Sequence, residues 1–290
     1  MSKMKSMIIR PIVRFILKIG GRNFLSKIGI DEAKAADFMV RQVLGDGETY
    51  EVQGFKLKRG RTTRIPILTG EIDPAITALI KKNVHKGMIV FDLGANFGWF
   101  SLIFSKLVGS SGHVYTFEAD PTLIKTINEN VKLNKLDNVT VIPKAISNKS
   151  GISEFSLDET YDTRNQLNAK SPKGKVIKIE TISLDEFCNE NGLKQVDFIK
   201  MDVEGSEPKA IQGMKKIILS NPTLKIVTEF NQYAIKSVDS SPQEFLELLV
   251  EMGLEFKEID EKNTGTLNIV SKEKLLAKQV CNLYCYRTNV

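Results

Sequence analysis

Cysteine, histidine and long apolar runs are all scarce in this chain. Its 290 residues include three cysteines and two histidines. Three cysteines do not make a disulfide framework. Cys281 and Cys285 share one face of a strand read over CNLYC. They would lie about 13 Å apart at ~3.3 Å per residue, whereas a disulfide needs Cα atoms within ~7 Å. A metal centre of Cys and His would have too few ligands, and none is expected. These counts point to a reducing, cytoplasmic setting. Residues 1–30 contain no uncharged run longer than four residues. A secretory core needs about 7–15 apolar residues and a membrane span about 20, so neither is expected there.

Charge of one sign is missing from the body of the chain. The net charge is +6, but residues 1–28 hold seven of the 41 basic side chains and no acid. The remaining 34 basic residues face 35 acidic ones. No surface that tracks nucleic-acid phosphates is implied, and no nucleic-acid partner is expected.

What the first 28 residues do contain is an amphipathic pattern. Arg10, Arg14, Lys18 and Arg22 fall on one helical stripe, and Ile12, Phe15, Ile16 and Ile19 on another. Two readings stay open. The stripe is an interfacial helix on an anionic membrane, which would place the protein at the inner membrane face. Alternatively, it packs on its own domain or on a second subunit of a homodimer. Residues 1–70 are therefore read as an extension, made of this helix and a hairpin over 49–68. Residues 71–290 are read as the main domain.

In the main domain the periods alternate. Strands are expected at 88–93, 113–117, 139–142, 196–201 and 224–228. Helices are expected at 74–84, 99–107, 121–133, 184–191, 207–219 and 242–252, with Asp73 capping the first. Strands near 254–259, 266–270 and 279–286 close the chain. Residues 150–182 interrupt the rhythm with two strands and a polar loop, read as a β-hairpin insertion. The alternation predicts an α/β fold: a doubly wound, mostly parallel sheet with helices on both faces. Ligands bind beyond the carboxyl ends of such strands.

The segment IVFDLGANFGWF (89–100) reads as strand, glycine turn and helix start. Gly94 and Gly98 would let the backbone approach a ligand closely. Asp92 would set a carboxylate at the pocket floor. A dinucleotide site wants G-x-G-x-x-G, but this run is G-A-N-F-G. A floor carboxylate would repel a pyrophosphate and suits a ligand bearing an ammonium group. Both features favour S-adenosylmethionine over NAD. Glu118 ends the next strand, where an acid accepts hydrogen bonds from ribose hydroxyls.

The segments FDLGANFGWF, VYTFEADP, SLDEF and FIKMDVEGSEPKAIQG together resemble the FkbM-type methyltransferases of the class I S-adenosylmethionine-dependent superfamily. The resemblance implies a Rossmann-like sheet of seven strands whose last strand is antiparallel. It also implies methyl transfer to an oxygen of a small molecule, glycan or lipid-linked acceptor. Carried over, Asp92, Gly94, Asn96 and Gly98 would surround the methionine end of the cofactor, while Asp202 is read as a contact to cofactor or acceptor. Glu118 would hold the ribose, and Ala145 the adenine through its backbone. Lys144 departs from the pattern, because many relatives place an acid or amide there.

The base for a hydroxyl acceptor cannot be histidine on placement, since His85 and His113 lie at the amino ends of strands. Asp202, Glu204 and Glu229 stand at carboxyl ends, with Glu204 the first choice of base. Lys200 shares strand parity with Asp202 and would pair with it. A Mg²⁺ ion with bound waters would use the same three acids; the leading reading needs no metal. Tyr161, Arg164 and Asn165 lie in the insertion loop and would contact the acceptor, with Arg164 able to clamp an anionic group. The alternatives are an NAD(P) oxidoreductase and a non-catalytic, membrane-associated scaffold that keeps the fold.

Overall fold

The computed structural model describes residues 47–60, 72–158, 165–170, 172, 174–262 and 265–287. The basic stripe of residues 1–28, with Tyr161 and Arg164, lies outside the described residues. The chain starts with a hairpin of β1 (Thr49–Val52) and β2 (Phe55–Lys58), then α1 (Pro74–Asn83). Next come β3 (Ile89–Leu93), α2 (Trp99–Val108), β4 (His113–Phe117), α3 (Pro121–Leu133) and β5 (Val139–Ile142). The insertion holds β6 (Ala145–Ile146), β7 (Gly151–Leu157), β8 (Gln166–Leu167) and β9 (Lys175–Ile182). After it run α4 (Leu184–Glu190), β10 (Phe198–Met201), α5 (Glu207–Gln212), α6 (Lys215–Ser220) and β11 (Lys225–Asn231). The chain continues through α7 (Gln232–Ser237), α8 (Pro242–Glu251), β12 (Glu255–Ile259), β13 (Leu267–Ile269), α9 (Lys272–Leu276) and β14 (Val280–Tyr286).

The central sheet has the order β13-β12-β14-β11-β10-β3-β4-β5. Strands β3, β4, β5, β10 and β11 pair in parallel, and β14 is antiparallel to both of its neighbours. This is the Rossmann-like, doubly wound α/β sheet with its antiparallel last strand. It differs from the expected seven strands by one. The chain turns back after β12, with Asp260 N–H on the Thr266 carbonyl, and adds β13 along that edge. Chain order reverses between β3 and β10, so the carboxyl edge there is the switch point where such folds bind ligands.

Both sheet faces are buried. Phe91, Phe117, Phe187 and Met201 pack on one side. Val90, Leu102, Phe104 and Phe198 pack on the other, in a cluster that also takes in Val52, Phe55 and Leu57 of the N-terminal hairpin. The hairpin is clipped to α3: Asn134 pairs with the Lys56 backbone at 2.7 and 2.9 Å, and Asn130 Oδ1 accepts from Lys58 N–H at 2.7 Å. Asn130 Nδ2 also donates to the Phe97 carbonyl at 2.8 Å, so one buried amide ties the hairpin to the glycine turn.

Several local expectations are corrected. The insertion is a four-stranded sheet, β6-β9-β7-β8, rather than a hairpin alone. The single helix expected over 207–219 is two, α5 and α6. Asp185, distant in sequence, accepts from Lys216 N–H and Ile217 N–H at 2.9 and 3.0 Å and starts α6 afresh. Asp73 precedes α1 in a left-handed conformation without a side-chain cap bond. Among the described residues no helix is long and apolar enough to cross a membrane.

Because the buried Asn130 side chain makes two hydrogen bonds, Asn130→Ala is expected to destabilise the fold by about 2–4 kcal/mol. Asn128→Ala, on the exposed side of the same helix, should stay within about 0.5 kcal/mol of the parent. Urea denaturation compares the two.

Candidate active site

The turn after β3 is held by its own chain. Gly94 N–H and Ala95 N–H both donate to the Phe117 carbonyl at 3.0 and 3.1 Å, and Asp202 N–H donates to the Leu93 carbonyl at 3.0 Å. Gly94 has φ +72°, and a Cβ there would sit 1.8 Å from the Asp202 carbonyl oxygen. Besides lining the cavity, Gly94 thus lets two loops of the protein approach each other closely. Gly98, at φ +83°, precedes α2, whose first N–H groups face the carboxyl edge.

Glu118 follows β4 and bends back over this turn. Its carboxylate accepts from Asn96 N–H (2.8 Å), Ala119 N–H (2.8 Å) and Asp120 N–H (3.0 Å). Burial pushes its carboxyl up to about 7, against the opposing pull of those N–H groups. Asp92 lies one layer lower than expected. It is fully buried and is not a lining side chain of the cavity. Its register neighbours are Lys200 on β10 and Thr116 on β4. Ser101 Oγ donates to Asp92 Oδ2 at 2.5 Å and accepts from Thr116 Oγ1 at 2.9 Å. The strand places Asp92 on the α2 face of the sheet, where it bonds the first turn of α2 through Ser101.

Above this turn opens a cavity of about 410 Å³. Gly94, Asn96, Glu118 and Ala145 line it, together with Asp202, Glu204 and Ser206 of the loop after β10. Ala145 opens β6, which the insertion sheet holds by pairing Ala145 with Thr181. Lys144 also lines the cavity, but its ammonium pairs with Glu180 of β9 at 3.0 Å. Asn165 is a lining residue too, with Nδ2 on Asp120 Oδ2 and Oδ1 accepting from Asp158 N–H, each at 2.8 Å.

The loop after β10 carries the acids. Lys200 Nζ donates to Asp202 Oδ2 at 3.1 Å, the pairing their parity suggested. Burial alone would lower the Lys200 pKa; the Asp202 and Asp92 carboxylates more than offset this and keep it charged. Glu204 has φ +50°, a strained conformation costing about 1–3 kcal/mol. Three contacts hold it. Glu207 accepts from Val203 N–H and Gly205 N–H, each at 2.9 Å. Gln166 Nε2 donates to the Glu204 carbonyl at 3.2 Å. Gly205 passes so close to the Ala234 carbonyl that a Cβ would lie 2.2 Å from it. Burial, with Asp202 and Glu229 nearby, raises the Glu204 carboxyl well above its ordinary range. Burial and Asp202 lift Glu229 to about 7. Glu229 stands on β11 and does not line the cavity. Among the described residues no three His, Cys, Asp or Glu side chains converge to hold a metal ion. His113, at the amino end of β4, bonds Thr140 Oγ1 at 2.8 Å, away from the site.

The model of the methyltransferase FkbM domain matches residues 92–256. This chain belongs to the FkbM methyltransferase family. Two relatives are each 26% identical. One is the 2-O-methyltransferase NoeI of Sinorhizobium fredii, over 203 residues (64% of this chain, 79% of the relative). The other is the hexuronic acid methyltransferase AglP of Haloferax volcanii, over 182 residues (63% and 70%). A crystal structure of methyltransferase FkbM from Methylobacillus flagellatus superposes with a TM-score of 0.46 at 15% identity, covering 78% of this chain and 53% of that one. The protein is a methyltransferase whose cofactor is S-adenosylmethionine, which decides against the NAD reading.

The residues of this FkbM methyltransferase fit that cofactor. Among the described residues, four buried side-chain polar atoms have no hydrogen-bond partner: Asp92 Oδ1, Asn96 Oδ1, Trp99 Nε1 and Ser206 Oγ. Buried polar groups are ordinarily paired, so the two on the glycine turn, Asn96 Oδ1 and Trp99 Nε1, point to a ligand there. Asn96 Oδ1 is an acceptor suited to an ammonium, and Trp99 N–H a donor suited to a carboxylate. Both residues line the cavity beside the turn. Trp99, Ser206 and Glu207 were not singled out from sequence. The signal for Trp99 was available: it is the single tryptophan, directly after the glycine turn.

Saturating S-adenosylhomocysteine should therefore change the fluorescence of Trp99 with a stoichiometry near one. Its affinity should fall as pH drops through about 7, where Glu118 takes up a proton. Glu118→Gln should bind more weakly and flatten that pH dependence.

Proposed function

We propose that the protein transfers a methyl group to a hydroxyl of a sugar or sugar-bearing acceptor. The observation that carries this reading is one cavity shared by a diol-accepting carboxylate, Glu118, and a carboxylate suited to be a base, Glu204. The named activities of the two relatives, a 2-O-methyltransferase and a hexuronic acid methyltransferase, support the acceptor class.

S-adenosylmethionine, when bound, supplies a methyl group already activated on a sulfonium sulfur. The protein therefore has to align the partners and take a proton. We assign Asn96 and Trp99 to the amino-acid end, Glu118 to the ribose hydroxyls and Ala145 to the adenine edge. The rigid turn from Gly94 to Gly98 sets their spacing, and Asp92 bonds the first turn of α2 through Ser101. Glu204 removes the acceptor hydroxyl proton as the carbon–oxygen bond forms and the carbon–sulfur bond breaks. Asp202, anchored by Lys200, orients the acceptor, and Glu229 keeps Glu204 basic. Asn165 borders the acceptor entrance.

An acid with a raised pKa serves as a base only after losing its proton. Turnover should therefore rise with pH, with a midpoint above the ordinary carboxylate range. Glu204→Gln should lower kcat by about 100-fold or more and leave S-adenosylhomocysteine affinity unchanged. Weakened affinity with unchanged kcat would reverse the assigned roles.

A further inference from the structure

The charge of the acceptor part of the cavity identifies the acceptor more narrowly, given the reading above. The loop after β10 brings Asp202 and Glu204 to the lining, Asp73 lines the cavity close to Asp202, and Glu229 is within electrostatic reach. The described lining residues include two cations, and each already has a carboxylate partner. Lys200 is bound to Asp202 at 3.1 Å and lies in register with Asp92, and Lys144 is bound to Glu180 at 3.0 Å. Neither is free to pair with an anionic acceptor.

A second, independent observation marks this corner as a binding site. Ser206 is 2% exposed and lines the cavity, and its Oγ has no partner. It precedes α5, where a serine ordinarily bonds the first-turn N–H groups, yet it makes no cap bond. A hydroxyl withdrawn from both water and its own helix is suited to a neutral hydroxyl on a ligand, as donor or acceptor.

We propose that Asp202, Glu204 and Ser206 form a subsite for an acceptor sugar that is neutral or amine-bearing, and that it rejects sugars carrying a carboxylate. Sugar hydroxyls would donate to Asp202 and Glu204 and pair with Ser206 Oγ. An amino group would add a favourable charge contact. A uronate would set a further carboxylate beside Asp202, and beside Glu204 in the ionised form that acts as the base, with no free cation among the described lining residues, and like charges placed together cost specificity. The substrate class thus differs from that named for the hexuronic acid methyltransferase relative.

The test uses the full chain saturated with S-adenosylhomocysteine, titrated with methyl glucoside, glucosamine and glucuronate by ligand-observed NMR. Methyl glucoside and glucosamine should each bind about tenfold or more tighter than glucuronate. Ser206→Ala should weaken methyl glucoside about fivefold without changing S-adenosylhomocysteine affinity, which also shows that the variant is folded. Equal or tighter binding of glucuronate would overturn the proposal and point instead to an anion clamp such as Arg164. Failure of all three sugars to bind would overturn it as well. Failure of S-adenosylhomocysteine itself to bind would be distinguishable, because it removes the donor reading on which this proposal rests.

Discussion

The site depends on a backbone contact. The Asp202 carbonyl occupies the space where a side chain on residue 94 would be, and Asp202 N–H binds the Leu93 carbonyl. The turn after β3 and the loop after β10 are therefore locked at van der Waals distance. One loop carries the groups suited to the cofactor and the other carries the acids. Their separation is set by main chain, which cannot change rotamer. A side chain at residue 94 would have to push the loops apart and would displace Asp202, Glu204 and Ser206 together.

A second consequence is electrostatic. Several carboxylates are drawn into a partly buried space with one ammonium, Lys200, near their centre. Desolvation raises the pKa of Glu118, Glu204, Glu207 and Glu229 alike. The same burial that disfavours charge makes Glu204 and Glu229 better proton acceptors once ionised. Glu207 shows why geometry must be read first. It is raised to about 8, yet both its oxygens are committed to backbone N–H groups of the Glu204 loop. It positions that loop and is not presented to a ligand.

Much of this was legible in sequence where the cause is local. The strands and helices from Met88 to Ile142 follow from apolar periodicity, and the Lys200–Asp202 pair follows from strand parity. The failures share a physical origin in contacts distant along the chain. Asp185 starts α6 from 31 residues away. Asn130 joins the hairpin to the glycine turn. Asp92 was expected at the cavity floor because it ends a strand at the carboxyl edge, but side-chain alternation puts it under α2 with Ser101. Gly94 lines the cavity, but its packing against Asp202 joins residues far apart in sequence. Ser206 carries no motif that distinguishes a paired polar atom from an unpaired one, a property that exists only in three dimensions.

The central claim is that one cavity holds the donor with its sulfur turned toward the Asp202–Ser206 loop. A crystal structure with S-adenosylhomocysteine tests it most directly. The account predicts ribose hydroxyls on Glu118, the amino-acid end beside Asn96 and Trp99, and the sulfur facing Glu204. A ligand bound in the opposite sense, with its adenine against Glu204 and Ser206, would contradict it.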